Sequence, residues 1–336
     1  MDYYEHRQTR SSNAIHLGDV MPDYQKKLIR ALLILTIVFI SLLFCYGCSR
    51  NAAYTQIKEE TGTRVAPAML LSAAPEIHVA ECGEASIDHS NLAQGYFMVN
   101  YHGENPDIKL RVNKDGEECV YVLEQKHHNK YTAFPLTEGS GEYSVVIYEH
   151  KYGTTYLEIF SKRFYAEIED EPLPYLYPSN LVNYSEDSIA VNQAAALAET
   201  ANTDADVIRE TLDYVLETID YDHQFAENAP PNYIPDIDSV IEAGKGICLD
   251  MATVMAAMLR SQGIPAKVKI GDVQNGEETV YHAWVSVYAT DGSLNENQFI
   301  DDEEMPGWVD IDPGNTAKEK FKQYDPTCKY YMNRQY

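Results

Sequence analysis

The chain is short of cations. Its 336 residues carry 26 Lys and Arg against 52 Asp and Glu, a formal charge of −26. That balance argues against a nucleic-acid partner, because phosphate backbones call for a basic face. Tryptophan is nearly absent, with two residues, and phenylalanine is sparse at nine, whereas tyrosine reaches 26. A Tyr-rich, Lys-poor surface suits polar polymers and ordinary β-sheet equally, so it selects no function. Cysteine is scarce: of six, Cys45 and Cys48 belong to an apolar run near the N-terminus. Cys82, Cys119, Cys248 and Cys328 are too widely spaced for a disulfide framework, and only a Cys82–Cys119 pair stays open. With 45% hydrophobic and 23% charged residues the remainder is ordinary globular protein, long enough for one large domain or two.

Long apolar runs are lacking, with one exception. Residues 31–47, "ALLILTIVFISLLFCYG", are 17 residues without a charge, the short end of a membrane span. Lys26, Lys27 and Arg30 precede it and place the N-terminus in the cytoplasm. The polar stretch before them is long for a cleaved signal, so an uncleaved signal-anchor is expected. A cleaved signal and a lipidated Cys48 are the alternatives; Cys45 and Tyr46 fit a lipoprotein site poorly. The expected order is a cytoplasmic tail at 1–30 and a single transmembrane signal-anchor at 31–48, with everything after it extracellular at the cell membrane. Only five basic and four acidic side chains fall in residues 1–48, so the exported part is the acidic part.

Residues 49–77 are small and polar and read as a spacer. Residues 78–168 hold short β-branched and aromatic runs, such as "IKLRVNK" and "EYSVVIYEH", separated by Gly, Asn and Asp turns. That pattern predicts an all-β sandwich-like domain. His127 and His128 are adjacent and would point to opposite faces of a strand, so they read as surface residues and not a metal pair. "EDEPLPYLYPSN" breaks the pattern at 169–180.

Residues 178–336 read as a second domain, helical first. Thr203 and Asp206 have capping-box spacing, and Ala205, Ile208, Leu212, Val215 and Ile219 share one helical face. A later helix opens near Cys248 and stops at Gly263, with Met251, Met255, Met258 and Leu259 as its core stripe. The period then changes to two in "AKVKIGDV", "TVYHAWVSVYA" and "GWVDIDP".

A thiol reacts as thiolate, so a working cysteine needs something that favours the charged form. "GKGIC" puts Cys248 in the first turn of a helix, where free N–H groups and partial positive charge are available and could also bind an oxyanion. A base is offered by His282 in "VYHAWVSVY", and an orienting carboxylate by Asp310 or Asp312 in "GWVDIDP". Each alone is weak: a lone Cys in a helix or a lone His in a strand is more often structural. Asp250 reads as a first-turn carboxylate that favours the helix.

"GKGICLDMATVMAAMLRSQGIPAKVKIG", "YHAWVSVY" and "GWVDIDP", in this order, resemble the transglutaminase-like core of bacterial proteins. Arg260, Gly263, Ile264, Pro265 and Ala266 match its Arg-x-x-Gly-Ile-Pro-Ala phrase, and the likeness extends over roughly residues 180–325. The resemblance implies an α+β, papain-like fold and a Cys-His-Asp triad, with Cys248 as nucleophile, His282 as base and Asp312 as orienting acid. Asp312 is taken over Asp310 because it precedes Pro313. Two departures stand out: Gly314 where the family usually has Thr, and an Asp at 310. Tyr221 and Gln224 are the side chains weighed for an oxyanion hole, and neither is assigned.

The implied activity is thiol-dependent acyl transfer on amide bonds: peptide or isopeptide hydrolysis, deamidation or transamidation. The expected partner is a protein or peptide at the cell surface, with no cofactor and no metal. The competing class is a surface binding module that keeps the fold without turnover. A metal site of Cys248, His282 and an Asp is disfavoured, since no ligand pair has metal-like spacing.

Overall fold

Alternation drives the first half of the chain into sheet. In β4 (Ile108–Lys114) Ile108, Leu110 and Val112 are buried while Lys109 and Arg111 are not. Each such aliphatic side chain contributes about 1.5–3 kcal/mol on burial. The computed structural model describes residues 27, 61–275, 278–294, 300–301, 307–314 and 328–336. The expected tail and membrane span at 1–48 lie outside the described residues, Lys27 excepted. No helix among the described residues is long and apolar enough to cross a membrane.

The other strands of this part are β1 (Val79–Cys82), β2 (Ala85–Asp88), β3 (Tyr96–Tyr101), β5 (Glu117–Leu123), β6 (Thr132–Pro135), β7 (Gly141–Tyr152) and β8 (Thr155–Ala166). They form two antiparallel sheets, β1-β2-β3-β6 and β5-β4-β7-β8. Aromatic contacts join the sheets: Phe97 to Phe164 at 5.6 Å and Tyr121 to Phe134 at 5.2 Å between ring centroids. Cys82 and Cys119 are both free thiols. The two histidines differ from expectation. Gln125–His127 is a 3₁₀ turn, not a strand, and both rings are half-buried, His128 edge-on to Tyr101 at 5.0 Å.

Beyond residue 180 come α1 (Ile189–Ala198), α2 (Asp204–Thr218), α3 (His223–Asn228), α4 (Ile237–Ala243) and α5 (Cys248–Ser261). The Thr203–Asp206 capping box is present at the start of α2. Two short strands, β9 (Asp220–Tyr221) and β10 (Lys245–Gly246), pair in parallel beside α4. The last sheet has the order β13-β14-β12-β11-β15 and is antiparallel throughout. Its strands are β11 (Ala266–Asn275), β12 (Glu278–Val287), β13 (Ile300–Asp301), β14 (Val309–Ile311) and β15 (Cys328–Gln335).

Helix α5 is enclosed by its neighbours. Val254, Met255, Met258 and Leu259 are fully buried, in one cluster with Val268 and Val285 of the last sheet. Its methionines are core, as the apolar stripe predicts. Near its C-terminal end Arg260, also fully buried, donates Nε to Ala266 O, Nη1 to Tyr177 O and Nη2 to Tyr336 O at 2.8–2.9 Å. One guanidinium thereby joins the helix, the segment after β8 and the end of β15.

Residues 61–77, read from sequence as part of a spacer, are laid along the protein surface. Arg64 meets Asp204 at 2.7 Å and donates to Gln262 O, while Asn91 donates to Ala73 O and Glu76 N to Asp88. Small polar composition gave no sign of these contacts, which are mostly made by backbone groups. The whole is a mixed α/β structure with several antiparallel sheets.

Candidate active site

The parallel pairing of β9 with β10 sets Tyr221 opposite Gly246, two residues before Cys248. A side chain at 246 would collide here: a Cβ would stand 2.7 Å from Asp250 Cβ. Asp250 is buried, accepts from Ile247 N at 2.7 Å and takes the Tyr233 hydroxyl at 2.8 Å. Burial pushes its carboxyl above the ordinary range, against the pull of those two donors. Read as text, Asp250 has only a helix-dipole role. In the fold it also fixes the turn that delivers Cys248 to the first position of α5. Cys248 is a free, half-buried thiol.

His282 comes from β12. Its Nε2 lies 2.8 and 2.9 Å from the two oxygens of Asp312, just after β14. Asp312 is 1% exposed and is held in turn by Gly314 N at 3.0 Å. With Nε2 engaged, Nδ1 is the ring nitrogen left to face the neighbouring Cys248. Burial alone would lower the imidazole pKa. The bonds and charges of Asp312 and Cys248 outweigh burial and push it up to about 10. Gly314 closes the group: a Cβ there would stand 3.1 Å from Cys248 Cβ and 3.2 Å from His282 Cε1.

Asp310 stands elsewhere. Its carboxylate takes Lys269 Nζ at 3.1 Å and Trp284 Nε1 at 3.0 Å, all three residues being buried. The alternation along β14 keeps Asp310 with Trp284, and Asp312, one step past the strand, reaches the imidazole. Of the two oxyanion candidates, Tyr221 lies beside Cys248, brought there by the pairing of β9 with β10. Burial first, then Cys248, raises that phenol to about 12. Gln224 is exposed on α3. Among the described residues no three His, Cys, Asp or Glu side chains are grouped to hold a metal ion.

Cys248 and His282 open into a cleft of about 540 Å³. One wall is β5, through Val120, Tyr121 and Val122; another is the loop from Pro230 to Tyr233. Tyr336 and Arg334 complete it from the end of β15. Nothing in the sequence pointed to these last two, which belong to no motif.

Residues 191–313 match the transglutaminase-like superfamily. This transglutaminase-like domain match spans α1 through the Asp312-Pro313 step and so includes Cys248 and His282. Among curated proteins, none matches the chain in sequence. Solved structures resemble it distantly. A candidate cysteine protease from Cytophaga hutchinsonii is 13% identical, with 77% of this chain and 81% of that one covered and a TM-score of 0.33. Red sea bream transglutaminase is 12% identical, covering 67% and 49%, with a TM-score of 0.28. A candidate protease from Parabacteroides distasonis is 14% identical, covering 66% and 41%, with a TM-score of 0.25. The chain therefore spans less than half the length of the last two.

Proposed function

We propose that the transglutaminase-like domain is a thiol-dependent acyl-transfer enzyme acting on amide bonds, with Cys248 as nucleophile, His282 as acid and base, and Asp312 as the orienting acid. The observation that carries this reading is the convergence of the three side chains, with Asp312 on Nε2 of the imidazole and Cys248 and His282 meeting around Gly314. An imidazolium held against Sγ favours the thiolate. The thiolate attacks the amide carbon, forming a C–S bond and an oxyanion. The Tyr221 hydroxyl and the free N–H groups at the start of α5 are the donors available to that oxyanion. Collapse breaks the C–N bond, and the amine leaves with the proton from His282. Water or a substrate amine then attacks the thioester, gives a proton to His282 and releases the thiolate. Water yields hydrolysis or deamidation; an amine yields a cross-link.

The substrate is a protein or peptide at the cell surface, reached by a chain anchored through residues 31–48 with its later domains outside. The apolar run and its preceding cations support that placement.

The test is alkylation of Cys248 with iodoacetamide across pH, wild type against His282→Ala. Wild type is expected to label faster than a free thiol at neutral pH, and the variant at the free-thiol rate. Equal rates in both would instead favour a binding module that retains the fold.

A further inference from the structure

The cleft at Cys248 is lined by no Asp or Glu among the described residues, in a chain that carries 52 of them. Its one Lys or Arg is Arg334. In the last sheet Arg334 stands opposite Ile270 of β11, and Ile270 opposite Ala283 of β12, the neighbour of His282. Two strand spacings, about 9.5 Å, separate Arg334 from the strand of His282, a distance that about three residues of extended peptide cover.

Arg334 is exposed, with Tyr336 beside it favouring the charged guanidinium, and its planar fork carries five N–H donors for an acceptor in the cleft. It makes no ion pair among the described residues. Behind it lies a small hollow with Glu117, Glu118 and Glu138, none of them paired with Arg334; Glu118 is paired with Arg111 instead.

We propose that Arg334 is a specificity residue that receives a carboxylate of the peptide substrate, about three residues from the amide that Cys248 attacks. This rests on the acyl-transfer reading above. Charge decides the sign of the selection. A cationic substrate would find no carboxylate in the cleft. An anionic one is repelled at long range by a chain of −26, so its entry depends on a local cation. Tyr121, Tyr281 and Tyr336 supply flat walls for the intervening residues. The carboxylate can come from an Asp or Glu side chain or from a free chain end.

The experiment uses short peptides in which an internal epoxide replaces one amide, and reads adduct formation at Cys248 by mass spectrometry. One arm compares Glu with Gln three residues from the epoxide; the other compares a free C-terminal carboxylate with its amide at that distance. In at least one arm the acid is expected to label wild type about tenfold faster than its neutral partner, and that arm names the source. The ratio should fall to about one in Arg334→Gln and survive in part in Arg334→Lys, which keeps the charge without the planar fork. Rising salt should shrink it. Acid and neutral probes that label wild type equally in both arms, probes that never label, or a preference that persists in Arg334→Gln would each overturn the assignment. Iodoacetamide reacting with Cys248 no faster than with a free thiol would instead sink the acyl-transfer reading, so the two failures are distinct.

Discussion

Nε2 of His282 lies between the two oxygens of Asp312, at 2.8 and 2.9 Å, and the carboxylate is 1% exposed. Sheltered from water, it cannot be replaced by solvent as the partner of the ring. It fixes which nitrogen meets the thiol, and with Cys248 it holds the proton on the imidazole to about pH 10 despite burial.

Asp312→Asn removes the charge and keeps the shape. Turnover should fall by about 10²- to 10⁴-fold. The alkaline limb of kcat/KM, near pH 10 in wild type, should move towards the ordinary histidine value of 6.5. Stability follows the same linkage. The folded chain keeps a proton that the unfolded chain gives up above pH 6.5, so this contribution is full below 6.5 and is lost as pH rises through about 10. The gap in melting temperature between wild type and Asp312→Asn should be widest below pH 6.5 and narrow towards pH 10. A gap that widens with pH contradicts the assignment of the proton to His282.

The choice between Asp310 and Asp312 shows where sequence stops being sufficient. As text they are two carboxylates two residues apart in one strand-like segment, and only a resemblance ranks them. Pairing of Ser286 with Asp310 makes the difference physical: Asp310 is inside the sheet beside Trp284, and Asp312 lies past its end. The thiol's helix start was legible because Gly-rich turns and apolar stripes are local signals. So was the capping box at Thr203. The parallel pair of β9 and β10, which brings Tyr221 to Cys248, was not, because two-residue strands carry no period. Arg334 was equally silent, since its place in the cleft comes from long-range pairing of β15 with β11.

Gly314 offers a direct probe of how tightly the reacting groups are set. A methyl there would lie 3.1 Å from Cys248 Cβ and 3.2 Å from His282 Cε1, so one of them must give by a few tenths of an ångström. Gly314→Ala is expected to lower kcat/KM by about tenfold, since small misplacements of reacting groups are costly. Gly314→Thr should cost more. Full activity in Gly314→Thr would show that neither side chain is constrained by this contact.

Asp310 should behave as a structural residue. Its carboxylate is shared by the buried Lys269 ammonium and the Trp284 indole, so Asp310→Ala leaves both without it in the interior. A loss of about 3–5 kcal/mol is expected. Denaturant unfolding measures this, and Cys248 in the folded fraction should keep its iodoacetamide rate. A variant as stable as wild type but slow in labelling would move Asp310 into the reacting group.

Arg260 shows why the resemblance to a sequence phrase has a physical basis. Its three donors end on the main-chain oxygens of Ala266, Tyr177 and Tyr336, the last of which also accepts from Val268 N at 2.9 Å. Burial lowers even this guanidinium to about 10, with Tyr184 and Tyr175 pulling the other way. Its charge is met by these main-chain oxygens. Arg260→Met would take this donor from Ala266 O and Tyr177 O at about 1–3 kcal/mol each, a large share of the stability of a domain, while Tyr336 O keeps Val268 N. Arg260→Lys should rescue little, because one ammonium cannot span three carbonyls on separate segments. The expected result is poor folding for Met and a strongly lowered melting temperature for Lys. Tyr177 and Tyr336 connect the segment after β8 and the end of β15, so Arg260→Lys should also speed proteolysis around residue 177. A Lys variant that melts with wild type would show that one of the three carbonyls suffices.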